Sequence, residues 1–110
     1  MKLLYKETYF DDLDDIAIYI TTCFNEGLAH DTVREIHSKC IVVADQPHIG
    51  RVYPRNPFFR VLIVKRKNVL FYHVDEGAQT VTLHRIFDSR RDYAAAVSLI
   101  PQEKTPGNNS

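Results

Sequence analysis

Hydrophobic and polar positions change period along this chain, and the changes divide it into elements. Over Lys2 to Tyr9, Leu3, Tyr5 and in part Tyr9 alternate with polar residues, which predicts a strand. From Phe10 the spacing turns helical, since Phe10, Leu13, Ile16, Ala17, Ile20 and Phe24 return to one face. Asp11 and Asp12 are placed to supply an N-cap and first-turn acids, and Asp14 and Asp15 add negative charge where a helix dipole favours it. Asn25-Glu26-Gly27 predicts the stop, with Gly27 in a left-handed cap. A second helix is predicted over Leu28 to Ala44, where Ala29, Val33, Ile36, Cys40 and Val43 share a face. The two helices should form an antiparallel hairpin.

From Asp45 to Phe58 the periodicity vanishes, and Pro47, Gly50, Pro54 and Pro57 exclude a continuous helix or a central strand. That segment reads as an extended connector carrying Arg51 and Arg55. Three strands follow, Phe59 to Lys65, Val69 to Asp75 and Thr80 to Phe87, separated by short turns as in an antiparallel meander. In the last of them period alone leaves open whether Arg85 or His84 faces outward; burial of Val81, Leu83 and Phe87 is the favoured arrangement, with Arg85 near a sheet margin. Asp92 to Leu99 has the cap and the alanine run of a short helix, and residues 100–110 read as a mobile tail. The expected fold is therefore α+β: an N-terminal strand, then a helical hairpin packed on a mainly antiparallel sheet, in one domain over residues 1–99.

Composition sharpens this in two respects. At 110 residues and 45% hydrophobic content the chain can bury one core but not two. Its apolar runs are far shorter than a membrane span, and its start is interrupted too early for a secretory signal, which predicts a cytoplasmic protein without membrane contact. The net charge of zero hides two opposed halves. Residues 1–50 hold four Lys/Arg against nine Asp/Glu, whereas residues 51–91 hold nine Lys/Arg against three. Such polarity suits a polyanionic or acidic partner, although a solvated surface with chance segregation would look similar.

Much chemistry is missing. The four glycines cannot build a phosphate loop, the five histidines are dispersed, and no paired-cysteine or His-Glu-x-x-His spacing occurs, so neither cofactor nor metal is expected. Cys23 and Cys40 fall on successive antiparallel helices roughly 15 Å apart along the axis, too far to bridge. What stands out is a basic set on and beside the sheet: Arg51, Arg55, Arg60, Lys65, Lys67, Arg85, Arg90 and Arg91, interleaved with Tyr53, Phe58, Phe59, Tyr72 and Tyr93. Guanidinium groups pair with phosphate or carboxylate, and aromatic faces stack on bases or on an apolar helix. Taken singly, each arginine more often serves solubility and each aromatic more often fills a core.

The order of elements, together with Pro-His-Ile-Gly-Arg (Pro47 to Arg51), Phe-Arg-Val-Leu-Ile-Val (Phe59 to Val64), Val-Leu-Phe-Tyr-His-Val (Val69 to Val74) and Leu-His-Arg-Ile-Phe-Asp-Ser-Arg-Arg-Asp-Tyr (Leu83 to Tyr93), resembles the RelE/ParE toxins of type II toxin-antitoxin systems over about residues 3–97. The resemblance implies a cognate antitoxin that folds across the toxin, and contact with operator DNA only through that complex. It also implies one of two actions. RelE-like members cut mRNA in the ribosome; here Arg60 and Arg85 would match the sheet arginines, with Arg91 or Tyr93 as the C-terminal group. ParE-like members poison DNA gyrase without hydrolytic chemistry of their own. Asp88 stands where many relatives carry His, and an acid cannot stabilise a charged phosphate. Overall neutrality is also low for entry into a ribosomal RNA cleft. Both points favour the ParE-like action, in which Arg51, Arg55, Arg60, Lys65, Lys67, Arg85, Arg90 and Arg91 would contact target or antitoxin; a third alternative, motivated only by the charge asymmetry, is a non-toxic interaction module.

Overall fold

A short first strand commits the rest of the chain to its topology. The computed structural model describes residues 1–89, and within them the order is β1 (Lys2–Tyr5), α1 (Glu7–Cys23), α2 (Glu26–Asp45), β2 (Arg51–Val52), β3 (Arg60–Val64), β4 (Asn68–Asp75) and β5 (Thr80–Asp88). The strands make a sheet of order β1-β5-β4-β3-β2, with β1 parallel to β5 and the other pairs antiparallel. The helices pack on one face of this mixed sheet, giving the α+β architecture the periodicities predict. The helix predicted over 92–99, the tail at 100–110 and the site candidates Arg90, Arg91 and Tyr93 lie outside the described residues.

The N-terminal boundary differs from the expected one. The strand ends at Tyr5 instead of Tyr9, and α1 begins before Asp11 and Asp12, which therefore do not cap it. Lys6 occupies the N-cap with extended backbone, and its N–H donates to Leu83 O at 2.9 Å as the last rung of the β1–β5 pairing. Tyr9 extends the helical apolar spacing back by a turn; it is buried, with its hydroxyl 3.4 Å from Cys40 Sγ. β1 pairs only Thr80 to Leu83 of β5, so the same edge is bare from His84 onward. α1 covers it with side chains. Thr8 Oγ1 donates to His84 O at 2.9 Å, and the Asp12 carboxylate accepts from Ile86 N–H at 3.1 Å. A helix thus takes over where a strand stops, satisfying backbone groups that an open edge would expose.

The hairpin between the helices turns on Asn25, not on Gly27. Asn25 is the N-cap of α2 and accepts from Leu28 N–H at 2.7 Å, while Gly27 lies inside the first turn. Asn25→Ala is expected to lower stability by about 1 kcal/mol, read from urea unfolding.

Both faces of the sheet are apolar. Tyr9, Ile36, Cys40 and Val43 pack with Val64, Leu70, Tyr72, Val81, Leu83 and Ile86 in the helix-side core. On the other face Tyr53 and Phe59 fold back over Val61, Val69, Phe71 and Phe87. The connector is accordingly more than extended chain: Arg51 and Val52 pair with β3, and Tyr53 N–H donates to Phe59 O at 2.9 Å to close the hairpin. β5 also departs from simple alternation. Its register with β4 shifts between Phe71, opposite Arg85, and Tyr72, opposite Leu83, leaving His84 as the extra residue of a bulge. Val81, Leu83 and Ile86 therefore face the helices, whereas Phe87 joins the opposite core, so the three residues expected on one face are split.

Cys23 is exposed and Cys40 buried, both as free thiols. Burial pushes the Tyr9 and Tyr72 phenols above their ordinary 10.0 and the Cys40 thiol above 9.0. A pKa raised on folding contributes stability that is complete below the unfolded value and lost as pH rises through the folded one. The urea midpoint is therefore expected to stay level toward pH 9 and fall in the alkaline range beyond, less steeply in Tyr9→Phe.

Candidate functional site

Arg85 and Asp12 form the most enclosed ion pair among the described residues. Arg85 Nε lies 2.6 Å from Asp12 Oδ2 and its Nη2 lies 2.9 Å from Oδ1, a bidentate fork. Asp12 is 5% exposed and the Arg85 side chain 19%, and the guanidinium carbon sits 4.5 Å from the Phe87 ring centroid. The bulge at His84 turns Arg85 toward the edge that α1 covers. Its Nε and Nη2 face the protein's own carboxylate, so an outside anion could take that same fork only by displacing it.

Arg60 is engaged as well. Its Nη1 donates to Gly50 O at 2.7 Å, Gly50 N–H donates to Tyr72 Oη at 2.9 Å, and the Tyr72 hydroxyl donates to Pro47 O at 2.8 Å. Burial raises the Tyr72 phenol, and the Gly50 N–H and the Arg60 charge partly oppose that rise. The Pro-x-x-Gly-Arg segment is thus a clasp that ties the end of α2 to the middle of the sheet. A Cβ on Gly50 would lie 2.6 Å from the Tyr72 hydroxyl and 2.8 Å from Val61 O, which explains the glycine.

The remaining candidates do not converge on one point. Arg51 is exposed on β2, Arg55 is exposed in the following turn, and Arg60 shares their hairpin. Lys65 and Lys67 sit at the opposite end of β3, where Lys65 Nζ meets Glu35 Oε1 at 2.5 Å and Lys67 remains exposed. The backbone there is left-handed at Lys65 (φ 51) and Arg66 (φ 63), and Ser89 anchors it through Arg66 O and Lys67 O. Arg66 is also exposed at this tip.

A groove of about 760 Å³ separates α1 from the end of β5. Ile16, Tyr19, Ile20, Phe24 and Leu28 give it an apolar lining, and Asp15, Arg66 and Lys67 line it as well, together with the paired Asp12. Phe24, Tyr19 and Leu28 line it together and all three are exposed, a grouped apolar surface of the kind that marks contact sites. Sequence reasoning missed Asp12 as a site-shaping residue because it stands in a run of acids that reads as a solvated face. Among the described residues no group of three His, Cys, Asp or Glu could hold a metal, and no helix is long and apolar enough to cross a membrane.

Residues 3–93 match the family model described as the ParE toxin of the type II toxin-antitoxin system parDE. The chain belongs to the ParE toxin family. Membership makes it a toxin of a type II system and implies an antitoxin partner. No curated protein sequence matches it. The chromosomal ParDE toxin-antitoxin system from P. aeruginosa contains a chain superposing with TM-score 0.70 at 20% identity, over 80% of this chain and 95% of that one. The isolated E. coli RelE toxin superposes with TM-score 0.56 at 15% identity, over 88% and 95%. At these identities the structural likeness speaks for a shared fold, in which this ParE-family chain places its sheet arginines as described above.

Proposed function

We propose that this ParE-family toxin inhibits DNA gyrase in the cytoplasm, without hydrolytic chemistry of its own, and that a cognate antitoxin neutralises it. The observation that carries the reading is the engagement of Arg60 and Arg85. The nuclease action that the resemblance implies would assign both guanidinium groups to the RNA, and here one holds Gly50 O and the other is forked onto Asp12. Withdrawing Arg85 would leave a buried carboxylate unpaired, a cost the chemistry would have to overcome. The exposed Arg51, Arg55 and Lys67 are suited instead to a broad contact with a large partner, joined in sequence by Arg90 and Arg91. The apolar groove beside α1, lined also by charges of both signs, suits an amphipathic helix of the antitoxin.

Purified toxin incubated with gyrase, ATP and plasmid is expected to block supercoiling and accumulate cleaved DNA. Arg51→Glu with Arg55→Glu should raise the required concentration about tenfold. Absence of cleaved DNA at every dose would defeat the reading.

A further inference from the structure

The turn between β3 and β4 has a backbone that its residues disfavour. Lys67 N–H donates to Val64 O at 3.2 Å to close it, and both central residues have positive φ, 51 at Lys65 and 63 at Arg66. Positive φ at both positions is the pattern of a type I′ hairpin turn, where Asn-Gly is favoured because long side chains resist the left-handed region. Lys-Arg stands here instead, at a backbone cost that closing the hairpin does not require. The fold then holds the turn in place, since Ser89 N–H donates to Lys67 O at 2.7 Å and Ser89 Oγ donates to Arg66 O at 3.2 Å. A strained turn that is anchored, and that carries cations where glycine would be more stable, points to a use for the cations.

Composition at the tip narrows the partner. Lys65, Arg66 and Lys67 are consecutive with no acid among them, and Arg90 and Arg91 follow Ser89 in the chain. Lys65 is neutralised by Glu35, whereas Arg66 and Lys67 are exposed and form no ion pair among the described residues. The turn offers no aromatic side chain to stack on a base and no apolar one to fill a pocket, so what it can supply is charge alone. We propose that Arg66 and Lys67 grip neighbouring phosphates of a duplex DNA backbone, one cation to each, without reading base sequence. The Arg66 fork takes phosphate oxygens in pairs, and Lys67 acts as a point charge beside it. The choice of duplex DNA rests on the gyrase reading, because duplex DNA is what gyrase acts on.

The test titrates the full chain, labelled with ¹⁵N, with a DNA duplex of about twelve base pairs and no gyrase present. Shifts centred on the amides of Lys65 to Asn68 and Ser89 are expected, and raising salt from about 50 to about 200 mM should weaken binding roughly tenfold, as two neutralised phosphates require. Lys67→Gln should reduce that salt effect to about threefold, with one phosphate contact remaining. Arg66→Gly should do the same and also raise the urea midpoint, because glycine relieves the left-handed backbone. An arginine kept only for structure would not give those opposite signs. Equal or tighter binding of a polyglutamate peptide would overturn the proposal in favour of an acidic protein partner, and tighter binding of an RNA hairpin would overturn the choice of duplex DNA. Shifts confined to Arg51 and Arg55, or an unchanged salt effect in both variants, would also overturn it. Gyrase inhibition is scored separately in the supercoiling assay, so failure of either reading is told apart from failure of the other.

Discussion

Asp12→Ala is expected to destabilise the protein by about 3–5 kcal/mol, the range for breaking a buried ion pair from one side. Three hydrogen bonds end on this carboxylate: two from Arg85 and one from Ile86 N–H. Its removal strands the Arg85 guanidinium in a largely buried position and leaves the Ile86 N–H unpaired where β1 no longer covers β5. Asp12→Asn keeps an acceptor for Ile86 N–H and loses the charge, so its cost should be about half that of the alanine variant. Asp12→Ala combined with Arg85→Ala should be less damaging than the sum of the two, because neither leaves a buried charge alone. Urea unfolding of the four proteins checks the order. A loss under about 1 kcal/mol for Asp12→Ala would mean the pair behaves as a solvated surface bridge.

Gly50→Ala should destabilise by about 1–3 kcal/mol, as overpacking does in a filled site. The added Cβ would meet the Tyr72 hydroxyl at 2.6 Å and Val61 O at 2.8 Å. The first contact could yield by moving a side chain, but the second is backbone within the β2–β3 pairing. Tyr72→Phe removes the hydroxyl that links Gly50 N–H to Pro47 O, at about 1–3 kcal/mol for the buried groups left unpaired. In the Tyr72→Phe background, Gly50→Ala should therefore cost less than in the wild type, yet still cost something because Val61 O remains. Urea midpoints of the two single variants and the double variant decide this. Equal costs in both backgrounds would place the strain wholly on the backbone contact.

Local signals predicted these elements well and long-range ones poorly. β3, β4 and β5 were legible to within a residue at each boundary because short apolar runs between turn residues carry their own punctuation. The start of α1 was not, since the group that holds its N-cap Lys6 is Leu83 O, far away in sequence. Asp12 illustrates the same limit. Its neighbours Asp11, Asp14 and Asp15 are exposed, and only Arg85, 73 residues later, distinguishes it from them. The bulge at His84 has no glycine or proline to announce it, so strict alternation wrongly placed Phe87 with Val81 and Leu83. The second apolar face escaped notice because Tyr53 and Phe59 sit among prolines that rule out a long strand but not a return over the sheet. The basic set was visible as a list of residues. Its geometry was not, because whether an arginine is displayed or consumed depends on a carbonyl or carboxylate from another element.

The claim on which the functional account turns is that Arg60 and Arg85 hold the fold together and do not form a centre for cutting RNA. The most direct measurement is primer-extension mapping of an mRNA on translating ribosomes incubated with the purified chain. Full-length transcript with no new ends at any toxin concentration is the predicted result. Ribosome-dependent cuts within codons, abolished by Arg60→Ala or Arg85→Ala in protein that still folds, would contradict it.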